Sequence, residues 1–215
     1  MNYEKAWSKD VCGKTPLIKI SEKIYGKLEA YNPSGSVKDR LITHIVGKAL
    51  YERKITESTI LCEATSGNTG IALSAMAASL GLPCKIFMPC NMSVERRQMM
   101  TIYGASIEDT PPSDFDAAIA ARDKFLSENK NAWSPLQFSN PENIECHYLT
   151  TAHEIHTKLG SAWAGFVSGA GTGGTIMGVK KYINRMKLDV KTCLVLPEES
   201  NHGIQGIGDG REEVF

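Results

Sequence analysis

The stretch Thr59-Ile60-Leu61-Cys62-Glu63-Ala64-Thr65-Ser66-Gly67-Asn68-Thr69-Gly70 decides the fold class, read together with the small-residue run that follows it to Gly81. Residues 59–62 are apolar and β-branched, the composition of a buried strand. After a turn, residues 69–80 are small and apolar at helical length, and Gly81 is suited to the left-handed conformation that ends a helix. Residues 84–88 form the next buried strand, which Pro89 ends. Strand, crossover helix and strand make the unit from which parallel sheets are built, so the chain is an α/β protein.

Working outward, the same alternation continues. Residues 37–51 place Leu41, Ile42, Ile45, Val46, Ala49 and Leu50 on one helical face. Ser93 caps a helix running to residue 103, and Ser113-x-x-Asp116 gives a capping signal for another that ends near residue 129. A segment rich in Asn, Pro and Ser follows, over 137–143. The pattern then predicts helix 147–159, strand 164–168, helix 175–187 and strand 191–196, with a polar, glycine-rich tail from 198.

Composition narrows the function classes. The 215 residues are 42% hydrophobic and 22% charged, the balance of a globular protein with a real core. A formal net charge of zero gives no general attraction to nucleic acid or to an anionic membrane. No apolar run approaches the roughly 20 residues needed to span a bilayer; the longest, 71–82, is interrupted by Ser74, Ser79 and Gly81 and reads as a buried helix. The opening Met1-Asn2-Tyr3-Glu4-Lys5 lacks the apolar stretch of a secretory signal. Six cysteines, at 12, 62, 84, 90, 146 and 193, form no CxxC pair, which points away from zinc or disulfides and toward a reducing cytosol. Cys62, Cys84 and Cys193 stand in apolar runs and are expected to be buried. The histidines show no metal-ligand spacing beyond a helical His153/His156 pair, so no metal is expected.

Three stretches concentrate chemistry. Asn32-Pro33-Ser34-Gly35-Ser36-Val37-Lys38-Asp39-Arg40 runs from turn residues into a helix, with Lys38 in the first turn. The positive end of the helix dipole disfavours a charged amine there, which suits Schiff-base chemistry, although most lysines at helix starts are simply solvated. In Thr65-Ser66-Gly67-Asn68-Thr69-Gly70, hydroxyls, an amide and helix N–H groups converge as an anion site would require; an ordinary N-cap would look similar. Ser168-Gly169-Ala170-Gly171-Thr172-Gly173-Gly174-Thr175, between strand and helix, holds four glycines and two threonines in eight residues, which suits a phosphate cradle. It has neither the GxGxxG spacing of a dinucleotide site nor the lysine of a P-loop. Gln137-Phe138-Ser139-Asn140-Pro141 and Gly203-Ile204-Gln205-Gly206-Ile207-Gly208 are, by themselves, only polar or flexible loops.

In chain order, these stretches with Thr15-Pro16-Leu17, Lys27-Leu28-Glu29, Met88-Pro89, Ser93-x-Glu95-Arg96-Arg97 and Gly104-Ala105 resemble the cysteine synthase (O-acetylserine sulfhydrylase) family. Its members are pyridoxal-phosphate enzymes of the tryptophan synthase β-like fold. The resemblance spans essentially the whole chain and mixes A-type and B-type features. It implies that Lys38 carries pyridoxal 5′-phosphate as a Schiff base and moves the substrate Cα proton. Asn68 would bond the cofactor 3-hydroxyl, and Gly171, Thr172, Gly173, Gly174 and Thr175 would hold its phosphate. Thr65, Ser66, Thr69 and Gln137 would bind the substrate carboxylate, with Gly206 at the mouth of the site.

The implied reaction is β-replacement of O-acetylserine, or a related activated serine, by sulfide. The implied assembly is a cytoplasmic homodimer of two-domain subunits that handles small molecules, not nucleic acid or membrane. One domain would be residues 38–140. The larger would combine 1–37 with 141–215 and be incomplete at its C-terminus, because family members continue beyond the position of Phe215. Two other readings stay open: a cystathionine β-synthase-like or serine dehydratase-like enzyme, and a shortened homologue acting as a non-catalytic binding or regulatory module.

Overall fold

The computed structural model describes residues 11–65, 67–199, 204, 206 and 207; Ser66, His202, Gly203, Gln205 and Gly208 lie outside the described residues. The strands are β1 (Leu17–Lys19), β2 (Tyr25–Lys27), β3 (Ile60–Ala64), β4 (Cys84–Pro89), β5 (Ser106–Thr110), β6 (Ala132–Trp133), β7 (Gly165–Gly169) and β8 (Lys191–Val195). The α-helices are α1 (Lys38–Tyr51), α2 (Asn68–Leu80), α3 (Val94–Ile102), α4 (Phe115–Glu128), α5 (Glu142–His147), α6 (His153–Leu159) and α7 (Gly174–Arg185). The described chain divides into two compact units, one of residues 11–12 and 29–136, the other of 13–28, 137–199, 204, 206 and 207.

The first unit is built on a four-stranded parallel sheet of order β5-β4-β3-β6. From β3 the chain steps through β4 to β5, and β6 then returns to the other side of β3. Strand order therefore reverses beside β3, and the space outside the carboxyl end of such a strand is where open α/β sheets bind ligands. The loop beginning at Thr65 leaves β3 at that end.

Period-two alternation divides the core between the two faces of the sheet. Ile86 and Met88 of β4 pack with Ile42 and Val46 of α1, Ala72 and Met76 of α2, and Met100 of α3. Phe87, between them in sequence, joins Ala118 of α4 and meets Phe125 at a tilt of 53°, with ring centroids 5.7 Å apart. All six residues expected on the inner face of α1 are buried. Gly81 ends α2 in the left-handed conformation, at φ 69°. Burial pushes the Cys62 and Cys84 thiols up to about 12, so both stay protonated and inert.

Beneath the same sheet, Glu63 of β3 is fully buried and accepts a 2.8 Å bond from the Arg122 guanidinium of α4. Burial disfavours the guanidinium charge, but Glu63 and the exposed Asp123 carboxylate outweigh it and hold the Arg122 pKa above the ordinary value.

The second unit contains the antiparallel pair β1–β2, the parallel pair β7–β8, and helices α5 to α7. Between α5 and α6 the chain makes a π-helical turn, Tyr148–Ala152. Its apolar core is Ala152, Ile155, Trp163, Val179, Tyr182 and Ile183.

Four expectations need correction. The helix predicted from residue 147 begins at Glu142, because Pro141 precedes its first residue and Pro is tolerated at a helix start. Asp114, not Ser113, caps α4; its carboxylate accepts the Ala117 N–H at 2.8 Å. Ser93 occupies the N-cap position of α3 without a capping bond from its side chain. Cys193 is exposed, because β8 pairs with β7 alone among the described residues and Val167 beside it is itself 65% exposed. Strand β5 had no signal in the sequence: Ser106, Glu108 and Asp109 are exposed on a sheet edge, where alternation is not required. Among the described residues no helix is long and apolar enough to cross a membrane.

Candidate active site

Lys38 is the first residue of α1 and is half-buried. Its neighbours fix the turn that presents it. Asp39 is buried, and its carboxylate accepts the Ser34 N–H at 2.9 Å, the Ser34 hydroxyl and the Ser36 N–H at 3.4 Å. Burial raises the Asp39 pKa, against the bonds from Ser34 that favour its charge. Arg40 reaches back to Glu29 in a bidentate pair, Nε at 2.6 Å and an Nη at 2.9 Å. The Ser36 hydroxyl accepts the Lys38 N–H at 3.2 Å, and Gly35 takes φ 92°, a conformation that disfavours a side chain. Sequence reasoning singled out Lys38 and missed Asp39 and Arg40, whose charged side chains gave no sign that they would be buried.

The loop after β3 lies in the same unit, and α1 packs against α2. Thr65 and Thr69 are buried, whereas Asn68, first residue of α2, is exposed. The Thr65 hydroxyl accepts the Gly67 N–H at 3.1 Å. The Arg96 guanidinium lies over Gly67 so closely that a Cβ there would meet its Cζ at 2.7 Å. The helix N-terminus and the nearby cation both favour a carboxylate at this loop. Ser66 lies outside the described residues.

The second unit holds Gln137, residues 171–175 and Gly206. Gly173 stands at the N-cap of α7 with φ 77°, a left-handed conformation in which a β-branched residue would be strained. A Cβ on Gly171 would stand 2.3 Å from the Gly206 carbonyl oxygen, so the predicted mouth residue touches the predicted phosphate loop. A Cβ on Gly174 would stand 2.0 Å from Asn143 Oδ1.

The hydrogen-bond directions in this loop suit an anion. Asn143 Nδ2 donates to the Gln137 carbonyl at 3.1 Å and to Thr172 Oγ1 at 2.9 Å. The Gly174 N–H also points at Thr172 Oγ1, at 3.5 Å. With two donors directed at that oxygen, the Thr172 hydroxyl proton is left to donate elsewhere. His147, 2% exposed, bridges Thr151 Oγ1 at 2.9 Å and Thr175 Oγ1 at 3.2 Å. These groups surround the N-terminus of a 12-residue helix, whose first N–H groups have no intrahelical partner. The loop therefore fits the phosphate of pyridoxal phosphate. Asn143 and His147 escaped the sequence reading, since a buried Asn and a buried His leave no periodic signal.

A family model described as pyridoxal-phosphate dependent enzyme matches residues 9–214. The chain is 38% identical to a cysteine synthase of Helicobacter pylori, over 93% of this chain and 71% of that relative. The crystal structure of an O-acetylserine-dependent cystathionine β-synthase from Helicobacter pylori matches with TM-score 0.86 at 36% identity, covering 93% of this chain and 71% of that one. That of a cysteine synthase from Entamoeba histolytica matches with TM-score 0.87 at 36% identity, covering 94% and 66% respectively. With its parallel α/β architecture and this match over residues 9–214, this chain belongs to the pyridoxal-phosphate-dependent enzyme family.

Proposed function

We propose that this protein makes L-cysteine from O-acetyl-L-serine and sulfide by pyridoxal-phosphate-dependent β-replacement, with Lys38 as its catalytic lysine. The observation that carries the reading is the cradle at the start of α7, where the Thr172 hydroxyl is left as a donor beside helix N–H groups that have no intrahelical partner. Gly171, Thr172, Gly173, Gly174 and Thr175 hold the cofactor phosphate, and Asn68 bonds the 3-hydroxyl of its ring. Thr65, Ser66, Thr69 and Gln137 bind the substrate carboxylate.

When bound, the cofactor supplies an electron sink for negative charge at the substrate Cα. The protein's part is to orient groups and move one proton. Lys38 Nζ, as a neutral amine, takes the Cα proton. Acetate leaves Cβ with the electron pair of the Cβ–O bond. Sulfide then forms the Cβ–S bond, and Lys38 returns a proton to Cα. The Asp39 and Arg40 anchors hold the Lys38 backbone while the proton moves, as general acid–base catalysis requires of a positioned group.

The likeness to an O-acetylserine-dependent cystathionine β-synthase favours a second reading, in which a larger thiol such as homocysteine replaces sulfide. Both readings share the steps up to loss of acetate and differ only in the acceptor. The finer reading includes a cytoplasmic homodimer of two-domain subunits, which light scattering coupled to gel filtration tests for mass.

One experiment tests the function directly. Purified protein with pyridoxal phosphate is expected to show a visible cofactor band that shifts on adding O-acetylserine, and to release cysteine when sulfide follows. Cystathionine from homocysteine, exceeding cysteine from sulfide, would move the assignment to the second reading. Neither product, with a cofactor spectrum matching free pyridoxal phosphate, would overturn both.

A further inference from the structure

Helix α5 meets α7 where Gly174 and Gly178 stand one turn apart on α7. A Cβ on Gly178 would collide with His147 Cβ at 2.5 Å and with the Ile144 carbonyl at 2.6 Å. The two helices thus approach closely because side chains are missing, and this closeness brings Asn143 onto the loop. Asn143 is 1% exposed. Its orientation is determined chemically: the Gln137 carbonyl can only accept, so the amide nitrogen must face it, leaving Oδ1 against Gly174.

We propose that Asn143 is a positioning residue for the cofactor phosphate: by donating to Thr172 Oγ1 it forces that hydroxyl to donate outward, and by donating to the Gln137 carbonyl it couples the phosphate loop to the substrate-carboxylate segment. The inference rests on the function proposed above but assigns a role outside the glycine-threonine loop. A neutral side chain bonded only to its neighbours would contribute packing alone. Here the second donor is what decides the direction of a hydroxyl that the phosphate would meet. An aspartate of the same shape would reverse that direction, since a carboxylate accepts and would draw the Thr172 proton to itself.

The test compares the dissociation constants of pyridoxal phosphate and of pyridoxal, which lacks the phosphate, for the wild type, Asn143→Ala and Asn143→Asp. Thermal melts of each apo-protein serve as the folding control. A lost bond to a charged group predicts about tenfold weaker pyridoxal phosphate binding for Asn143→Ala, and more for Asn143→Asp, with pyridoxal affinity unchanged. In a double-mutant cycle, Thr172→Val is expected to add little to Asn143→Ala, because both act through one hydroxyl. Equal losses for the two ligands, unchanged pyridoxal phosphate affinity, or full additivity would each overturn the assignment. Should the alanine variant fail to fold, the isosteric aspartate variant is read in the same way. Wild-type protein that binds no pyridoxal phosphate would instead remove the proposed function, and this inference with it.

Discussion

Lys38→Ala is expected to give a folded protein that no longer carries a coloured, lysine-linked cofactor and no longer makes cysteine. The fold should survive for local reasons. Lys38 is half-buried at the first position of α1, the Ser36 bond uses its backbone N–H, and alanine has the highest helix propensity. The turn is anchored by Asp39 and by the Arg40–Glu29 pair, neither of which involves the lysine side chain. Loss of a positioned base alone removes about 10²–10⁴-fold in rate, and loss of the covalent link adds to that. The measurement is the visible spectrum after excess cofactor has been removed by gel filtration, with circular dichroism as the folding control. A retained cofactor band in the folded variant would refute the assignment of Lys38. The proposed phosphate loop, residues 171–175, lies in the other compact unit and is untouched by the change, so residual, reversible binding of pyridoxal phosphate is compatible with it.

Arg122→Ala is expected to be the most destabilising substitution among those that leave the proposed active-site residues intact. It would strip a fully buried carboxylate of its cation: Glu63 is 0% exposed, and Arg122 donates to it at 2.8 Å. Removing one member of a buried pair costs about 3–5 kcal/mol, because the remaining charge is left in a poorly polarisable surrounding. That is a large share of a typical domain stability of about 5–15 kcal/mol. Urea unfolding monitored by tryptophan fluorescence measures it. Adding Glu63→Gln, which removes the buried charge, should recover much of the loss. No recovery in the double variant would mean that Arg122 contributes packing rather than charge.

The βαβ units, the buried face of α1 and the end of α2 at Gly81 were all legible in the sequence, as was the glycine-threonine turn before α7. Each is a short-range property: apolar period, a turn residue, a left-handed glycine or a cluster of glycines next to a hydroxyl. The motifs also indicated the family in chain order, and the match over residues 9–214 agrees with that reading. Edge strand β5 and the exposure of Cys193 were not legible, because both depend on what lies alongside in space. Ser106–Thr110 becomes a strand by pairing with β4, and Cys193 is exposed because β8 has β7 as its partner among the described residues.

The chain alone determined the α/β class and offered candidates for the chemistry: one lysine at a helix start, a hydroxyl-rich turn after a strand, and a glycine-threonine loop before a helix. Tertiary structure decided how those groups are held. Asp39 and Arg40 are buried beneath the Lys38 turn, and Asn143 and His147 reach the two loop threonines across a glycine-lined helix contact. The physical reason is the same in each case. Whether a polar side chain is solvated or buried, and which way its hydrogen bonds run, depends on partners distant in sequence that only folding brings within about 3 Å.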